Sequence, residues 1–212
     1  MFYLVNTPWW LKTLYRGLVW QIPTKEKVLY LSFDDGPHPV ATPFVLDVLK
    51  KYDALATFFC IGKNVEAYPQ LYRRTLLEGH RVGNHTYDHL NGWKVDDRRY
   101  LENIREAGRR IDSDLFRPPY GRIGALQSRL LRSAPFNYQI IMWDVLSADF
   151  DQTLTGDRCA RNVIRYARQG SVVVFHDSEK AFPRMRVALP VVLNEFSTQG
   201  YRFESILPKI GK

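Results

Sequence analysis

Short apolar runs alternate with amphipathic stretches along nearly all of the 212-residue chain, and that rhythm admits few folds. A run apolar enough to be buried on both faces, followed by a helix with one apolar face, is the repeat unit of a parallel sheet covered by helices. KVLYLSF (27–33), ALATFFCI (54–61), HRVGNH (80–85), LFR (115–117), YQIIMW (138–143), SVVVFH (171–176) and YRFESI (201–206) predict the strands, several of them rich in β-branched and aromatic residues. Helices are predicted between them at about 43–51, 65–78, 96–111, 123–132, 157–168 and 185–198. Thr42 followed by Pro43 reads as a capped helix start, Gly79, Gly170 and Gly200 as helix ends, and Pro190 as a kink or break in the last helix. Such an alternation gives either an open doubly wound sheet or a closed barrel, and in both the sites lie at the carboxyl ends of the strands. Asp34, Asp35, His85, Arg117, Trp143 and His176 all fall there.

The length suits one folding unit, and 45% hydrophobic with 25% charged residues suits a globular chain rather than a disordered one. The formal charge of +8 is spread over helix-face pairs such as Arg73 with Arg74, Arg98 with Arg99 and Arg109 with Arg110. Solvated faces account for that pattern, and with no nucleic-acid module visible, nucleic acid is not an expected partner. Cys60 and Cys159 lack metal spacing and read as structural. Trp10, Leu11, Leu14, Leu18 and Val19 recur at helical spacing, so residues 8–20 predict an amphipathic helix closing one end of the domain, with peripheral membrane contact as the sharper alternative. No run approaches membrane-spanning length and the N-terminus lacks the features of a secretory signal, so a cytoplasmic location is expected.

The segment Ser32-Phe33-Asp34-Asp35-Gly36-Pro37 sets two adjacent carboxylates directly behind an apolar strand. Repulsion and desolvation make that pairing costly without a cation nearby, although Asp-Gly-Pro alone is ordinary turn chemistry. His85 and His89, four apart in GNHTYDH, would share one face of a helical turn and could hold one metal ion. An oxygen ligand from Asp35 would complete a three-residue set with an open position, as a catalytic zinc requires. Asp34 would then be free to take a proton from water.

With these residues in place, the chain resembles the polysaccharide deacetylase family, carbohydrate esterase family four, also called the NodB-homology domain, over residues 28–206. SFDDGP, HTYDH, RPPYG, WDVLSADF and VFHD stand in the family's order. The resemblance implies a distorted (β/α) barrel with about seven parallel strands, a catalytic domain at 27–212 and an N-terminal extension at 1–26 packing on it. It implies Asp34 as catalytic base, Asp35, His85 and His89 as metal ligands, Arg117 as the group orienting the base, and His176 as general acid. The backbone N–H of Tyr120 would donate to the tetrahedral oxyanion, and Val174 would line the acetyl pocket. The fourth motif departs from the pattern: Leu146 stands where many members have the aspartate that tunes the acid, and Phe150 where Trp is frequent. Either Asp144 or Asp149 substitutes, or the acid works with a different pKa. Trp143 and Trp93 are candidates for sugar stacking, with packing the plainer reading; His38 and His80 read as structural.

The implied reaction is hydrolytic removal of acetyl groups from N-acetylglucosamine units in a glycan or glycolipid, with one divalent cation, Zn2+ before Co2+ or Ni2+. The rivals are O-deacetylation of a polysaccharide, hydrolysis of small cyclic amides, and a glycan-binding protein that keeps the metal without turnover.

Overall fold

The computed structural model describes residues 3–207; residues 1, 2 and 208–212, at the outer ends of the two expected units, lie outside the described residues. In chain order the elements are α1 (Trp9–Leu14), β1 (Val28–Asp34), α2 (Ala41–Lys51), β2 (Ala56–Cys60), α3 (Gly62–Ala67), α4 (Pro69–Leu77), β3 (Arg81–Asn84) and α5 (Asp97–Gly108). There follow β4 (Leu115–Phe116), α6 (Ala125–Leu131), β5 (Gln139–Ile140), β6 (Val145–Leu146), α7 (Gly156–Tyr166), β7 (Val172–His176), α8 (Phe182–Thr198) and β8 (Arg202–Phe203). The strands pair in parallel in the order β5-β4-β3-β2-β1-β7-β6, while β8 joins the start of β1. Seven parallel strands thus curl into a half-barrel, the distorted (β/α) barrel that the alternation and the family resemblance predict.

Period-two alternation along each strand divides the core. Leu29, Leu31 and Phe33 of β1, Phe58 of β2 and Val173 and Phe175 of β7 pack outward against buried faces of α2, α7 and α8. Val28, Tyr30, Phe59, Leu115 and Val172 point the other way, with Ile206 of the C-terminal segment, and fill the barrel as an apolar plug. Gly83 is required here because a Cβ would lie 2.5 Å from the Phe59 ring. By the same alternation Ser32 and Asp34, and Val174 and His176, stand above the plug at the strand ends.

The terminal strands β5 and β6 do not pair with each other; the N-terminal segment stitches the seam. Val19 N–H donates to Ile140 O at 2.9 Å and Val19 O accepts from Met142 N–H at 2.7 Å. Further back, Thr7 N–H donates to Asp144 O at 2.9 Å and Leu146 N–H to Val5 O at 2.8 Å. Lys12 pairs with the buried Asp144 carboxylate, which also accepts from Ser171 Oγ at 2.5 Å. The helix expected over 8–20 accordingly stops at Leu14, because the chain must turn to lay Val19 beside β5.

Three other local expectations differ from the structure. Thr42 does not cap α2, which begins at Ala41; the ring Nδ1 of His38 accepts from Val40 and Ala41 N–H instead, at 3.3 and 3.1 Å. The helix expected over 65–78 is two helices, broken at Tyr68 before Pro69. Pro190 lies inside α8 without ending it, held by the buried Met185, Leu189, Val192, Leu193 and Phe196. No described helix is long and apolar enough to cross a membrane.

Candidate active site

At the end of β1 the chain leaves the sheet through Asp35, whose φ of 80° is in the left-handed region. Its loop holds that conformation with hydrogen bonds from outside: Asn64 Nδ2 donates to Asp35 O at 2.7 Å and Ile61 N–H to Gly36 O at 2.9 Å. The buried Asp177 carboxylate accepts from Gly36 N–H at 3.1 Å and from Thr42 Oγ1 at 2.5 Å. A Cβ on Gly36 would lie 2.1 Å from that carboxylate, so only glycine fits. Burial pushes the Asp177 carboxyl up to about 8.

His85 and His89 meet through a loop rather than a helical turn. Thr86 and His89 have φ of 65° and 58°, and the side chains of Asn84 and Asn103 hold the bend by accepting from Thr86 N–H at 2.8 Å, Tyr87 N–H at 2.8 Å and Asp88 N–H at 3.0 Å. The Nε2 atoms of His89 and His85 lie 3.1 and 3.7 Å from Asp35 Oδ1. That oxygen is buried and has no hydrogen-bond partner, an expensive arrangement for a carboxylate unless a cation serves it. One ligand atom from each of the three residues lies within 4.8 Å of the others. Two ligands of a tetrahedral zinc lie roughly 3.4 Å apart, so the spacing fits one such ion.

The outer nitrogens are set as metal-binding histidines need. His85 Nδ1 lies 2.8 Å from Arg117 O, which can only accept, so the proton is on Nδ1 and the Nε2 lone pair faces Asp35. His89 Nδ1 lies 3.1 Å from the Tyr120 hydroxyl. Burial pulls His85 down to about 4, which keeps it neutral. Burial would raise the Asp35 carboxyl, but the surrounding imidazoles of His89, His176 and His85 outweigh it and hold it well below the usual carboxylate range.

Arg117, fully buried at the end of β4, donates from Nη1 to Asp34 Oδ1 at 2.7 Å and to Ser32 Oγ at 2.8 Å. Nε and Nη2 reach Ile141 O and Met142 O at 3.1 and 3.0 Å, and the guanidinium lies 4.0 Å over the Phe59 ring. Asp34 is thus a buried carboxylate with a fixed cationic partner beside the Asp35 cluster. Across the mouth, His176 Nδ1 lies 2.7 Å from Asp149 Oδ1, and Asp149 Oδ2 accepts His176 N–H at 2.8 Å. Burial would lower His176, yet Asp149 raises it to about 9 by charge and hydrogen bond. Of the two aspartates left open by the sequence, Asp149 is therefore the one on the imidazole, while Asp144 is tied to Lys12 and Ser171. Phe150 meets the His176 ring edge-on at 5.4 Å.

Val174 is buried in β7, in register with Ser32 and with Leu146. Trp143 packs against Gly121, where a Cβ would meet its ring at 2.7 Å. Trp93 lies more exposed, its Nε1 donating to Ile123 O at 3.0 Å and the Arg122 guanidinium 4.2 Å over its ring. His80 accepts from Ala56 N–H at 3.3 Å and, like His38, has a structural bond to explain it; both cysteines are buried and free. Sequence reasoning gave Tyr120 a substrate-side or packing role and missed its hydroxyl on His89, and it passed over Asp177. The only signal for the latter was an acidic residue directly after the histidine of VFHD.

The family profile described as polysaccharide deacetylase matches residues 21–139. A Bacillus cereus protein named peptidoglycan-N-acetylglucosamine deacetylase is 36% identical over 196 residues, covering 89% of this chain and 91% of its own. A chitooligosaccharide deacetylase of Azorhizobium caulinodans is 34% identical over 172 residues, covering 76% and 79%. Among solved structures, a peptidoglycan N-acetylglucosamine deacetylase in complex with a substituted N-oxidanyl-benzamide superposes with a TM-score of 0.84 at 31% identity, over 94% of this chain and 95% of that one.

Proposed function

Because the chain belongs to the polysaccharide deacetylase family, we propose that it hydrolyses the N-acetyl group of N-acetylglucosamine units in a glycan or glycolipid, with Asp34 as base and His176 as acid. The observation that carries this reading is the unpartnered Asp35 oxygen facing two imidazoles, with the Arg117-paired Asp34 on one side and the Asp149-paired His176 on the other. Asp35, His85 and His89 would hold one divalent cation, zinc before cobalt or nickel because two imidazoles and one carboxylate with an open position are the donor set of a catalytic zinc. When bound, such an ion would supply Lewis-acid polarisation of the acetyl carbonyl and acidify the attacking water.

The remaining work falls to the chain's own groups. Asp34, ion-paired with Arg117, accepts the proton of the water that attacks the acetyl carbon. The Tyr120 backbone N–H donates to the developing oxyanion. His176, protonated through Asp149, gives its proton to the sugar nitrogen as the C–N bond breaks, so the amine leaves neutral and acetate is released. Val174, with Leu146 beside it, forms the apolar floor for the acetyl methyl, and Trp143 walls the sugar side. The residues at 27–212 act as the catalytic domain and the extension at 1–26 as its packed cover. Leu146 was the one feature favouring a protein without turnover, and it loses weight because Asp149 brings a carboxylate to the acid from another position.

The test is acetate release from N-acetylglucosamine oligomers and from O-acetylated xylan, with and without chelator. Chelator-sensitive release from the oligomers is expected, falling at least about a hundredfold in Asp34→Asn while calorimetric zinc binding persists. Release from xylan alone would reassign the substrate, and undiminished release in Asp34→Asn would remove it as the base.

A further inference from the structure

We propose that the N-terminal segment and α6 together form a docking surface for an anionic phospholipid bilayer. On α1 and the turn after it, Trp9 is 77% exposed, Leu14 69%, Trp10 53% and Tyr15 45%. These side chains sit on a short helix whose packed contact, Leu11, turns away from them toward the cluster of Leu18, Trp20, Leu131 and Tyr138. That cluster joins the segment to α6. The Arg132 guanidinium, just past α6, covers Gly17 closely enough that a Cβ there would lie 2.4 Å away. On α6 itself Gln127 and Leu131 are buried, leaving Leu126, Arg129 and Leu130 on the outward side.

The two stretches that form this surface carry charge of one sign only. Residues 1–25 contain no aspartate or glutamate, and neither do residues 115–143. Arg16, Arg129 and Arg132 are exposed and have no ion pair among the described residues. Several basic helix residues elsewhere have carboxylate partners: Arg74 pairs with Asp47 and Glu78, Arg98 with Glu102, Arg109 with Glu106, and Arg110 with Glu66 and Glu106.

Exposed tryptophan, tyrosine and leucine interleaved with unpaired arginine, in stretches that carry no aspartate or glutamate of their own, is the composition that settles at the headgroup level of an anionic leaflet. A second copy of the chain is a poorer occupant, since apposing two such surfaces would bring unpaired arginines together with nothing to neutralise them. A neutral glycan is poorer too: Trp9, Trp10 and Tyr15 offer stacking planes, but such a ligand gives the unpaired arginines no counter-charge and the exposed leucines nothing apolar to cover them.

The experiment is co-sedimentation of the full chain with phosphatidylglycerol–phosphatidylcholine vesicles and with phosphatidylcholine alone, alongside tryptophan emission. Binding to the anionic vesicles is expected with a blue-shifted emission, weakening at 0.5 M salt by about tenfold as screening predicts. Trp9→Ser with Trp10→Ser, and separately Arg129→Glu with Arg132→Glu, should each lower vesicle binding about tenfold or more while the unfolding midpoint stays that of the parent. The proposal is overturned if the parent does not sediment with anionic vesicles, or if both double variants bind as the parent does. It is equally overturned by a dimer in light scattering that dissociates in the tryptophan variant. None of these readings depends on deacetylation, so the two proposals fail separately.

Discussion

Replacing Asp149 with asparagine tests the division of labour at the mouth of the barrel. The amide of Asp149→Asn would keep the shape and could still accept the Nδ1 proton of His176, but the substitution removes the charge that most favours the imidazolium. Raising a histidine from its ordinary 6.5 to about 9 corresponds to about 3 kcal/mol in favour of the protonated form. Without Asp149 burial acts unopposed except by Asp34 and Asp35, so His176 should fall by about two pH units or more. In the parent the protonated acid is present below about 9 and lost above it, and in the variant the alkaline limb of activity should move to about 7 or lower. At pH 8 that means roughly a tenfold or greater loss of initial rate, recovered as the pH is lowered. Stability follows the same sign: the pair's contribution is complete below about 6.5 and disappears as pH rises through about 9. Acetate release against pH, with the His176 imidazole followed by NMR, measures both. An alkaline limb at the same pH in parent and variant would refute the reasoning.

Arg117→Met should cost about 3–5 kcal/mol in denaturant unfolding, because it strands the Asp34 carboxylate and two carbonyls in the barrel; a loss under 1 kcal/mol would mean that water replaces the guanidinium. Tyr120→Phe removes only the hydroxyl on His89 Nδ1, so calorimetric zinc affinity should weaken by about tenfold with the fold intact, and unchanged affinity would make that contact incidental.

The strands that carry the site were legible because β1, β2 and β7 are long apolar runs whose ends could be placed from composition alone. The two-residue β6 was not, since two residues hold no period and its partners Val5 and Asn6 lie where no element was predicted, while Val19, which pairs beside β5, comes from a region that reads as a helix. Asp34, Asp35, His85 and His89 were legible as residue types in a spacing, and the structure brings them together. The reason given for the histidine pair did not hold: left-handed Thr86 and His89, held by asparagine side chains, do what a helical turn was expected to do. Asp149 could be narrowed to one of two because only geometry tells a carboxylate on an imidazole from one on a lysine. Thr42 shows the opposite error, a good capping residue drawn to a stronger acceptor across the fold.

The stitched seam also bears on how the chain reaches its native state. Asn6 and Asp144, joined across it, are 138 residues apart, so the N-terminal stretch is made long before the partners it closes against. Until β5 and β6 have been synthesised, the aromatic N-terminal stretch has no edge to pair with, and neither late strand can be protected on its open side without it. Assembly of this barrel should therefore finish with a slow, long-range closure that a refolding experiment would register as protection of Val19 and Leu146 amides after those of β1 and β7.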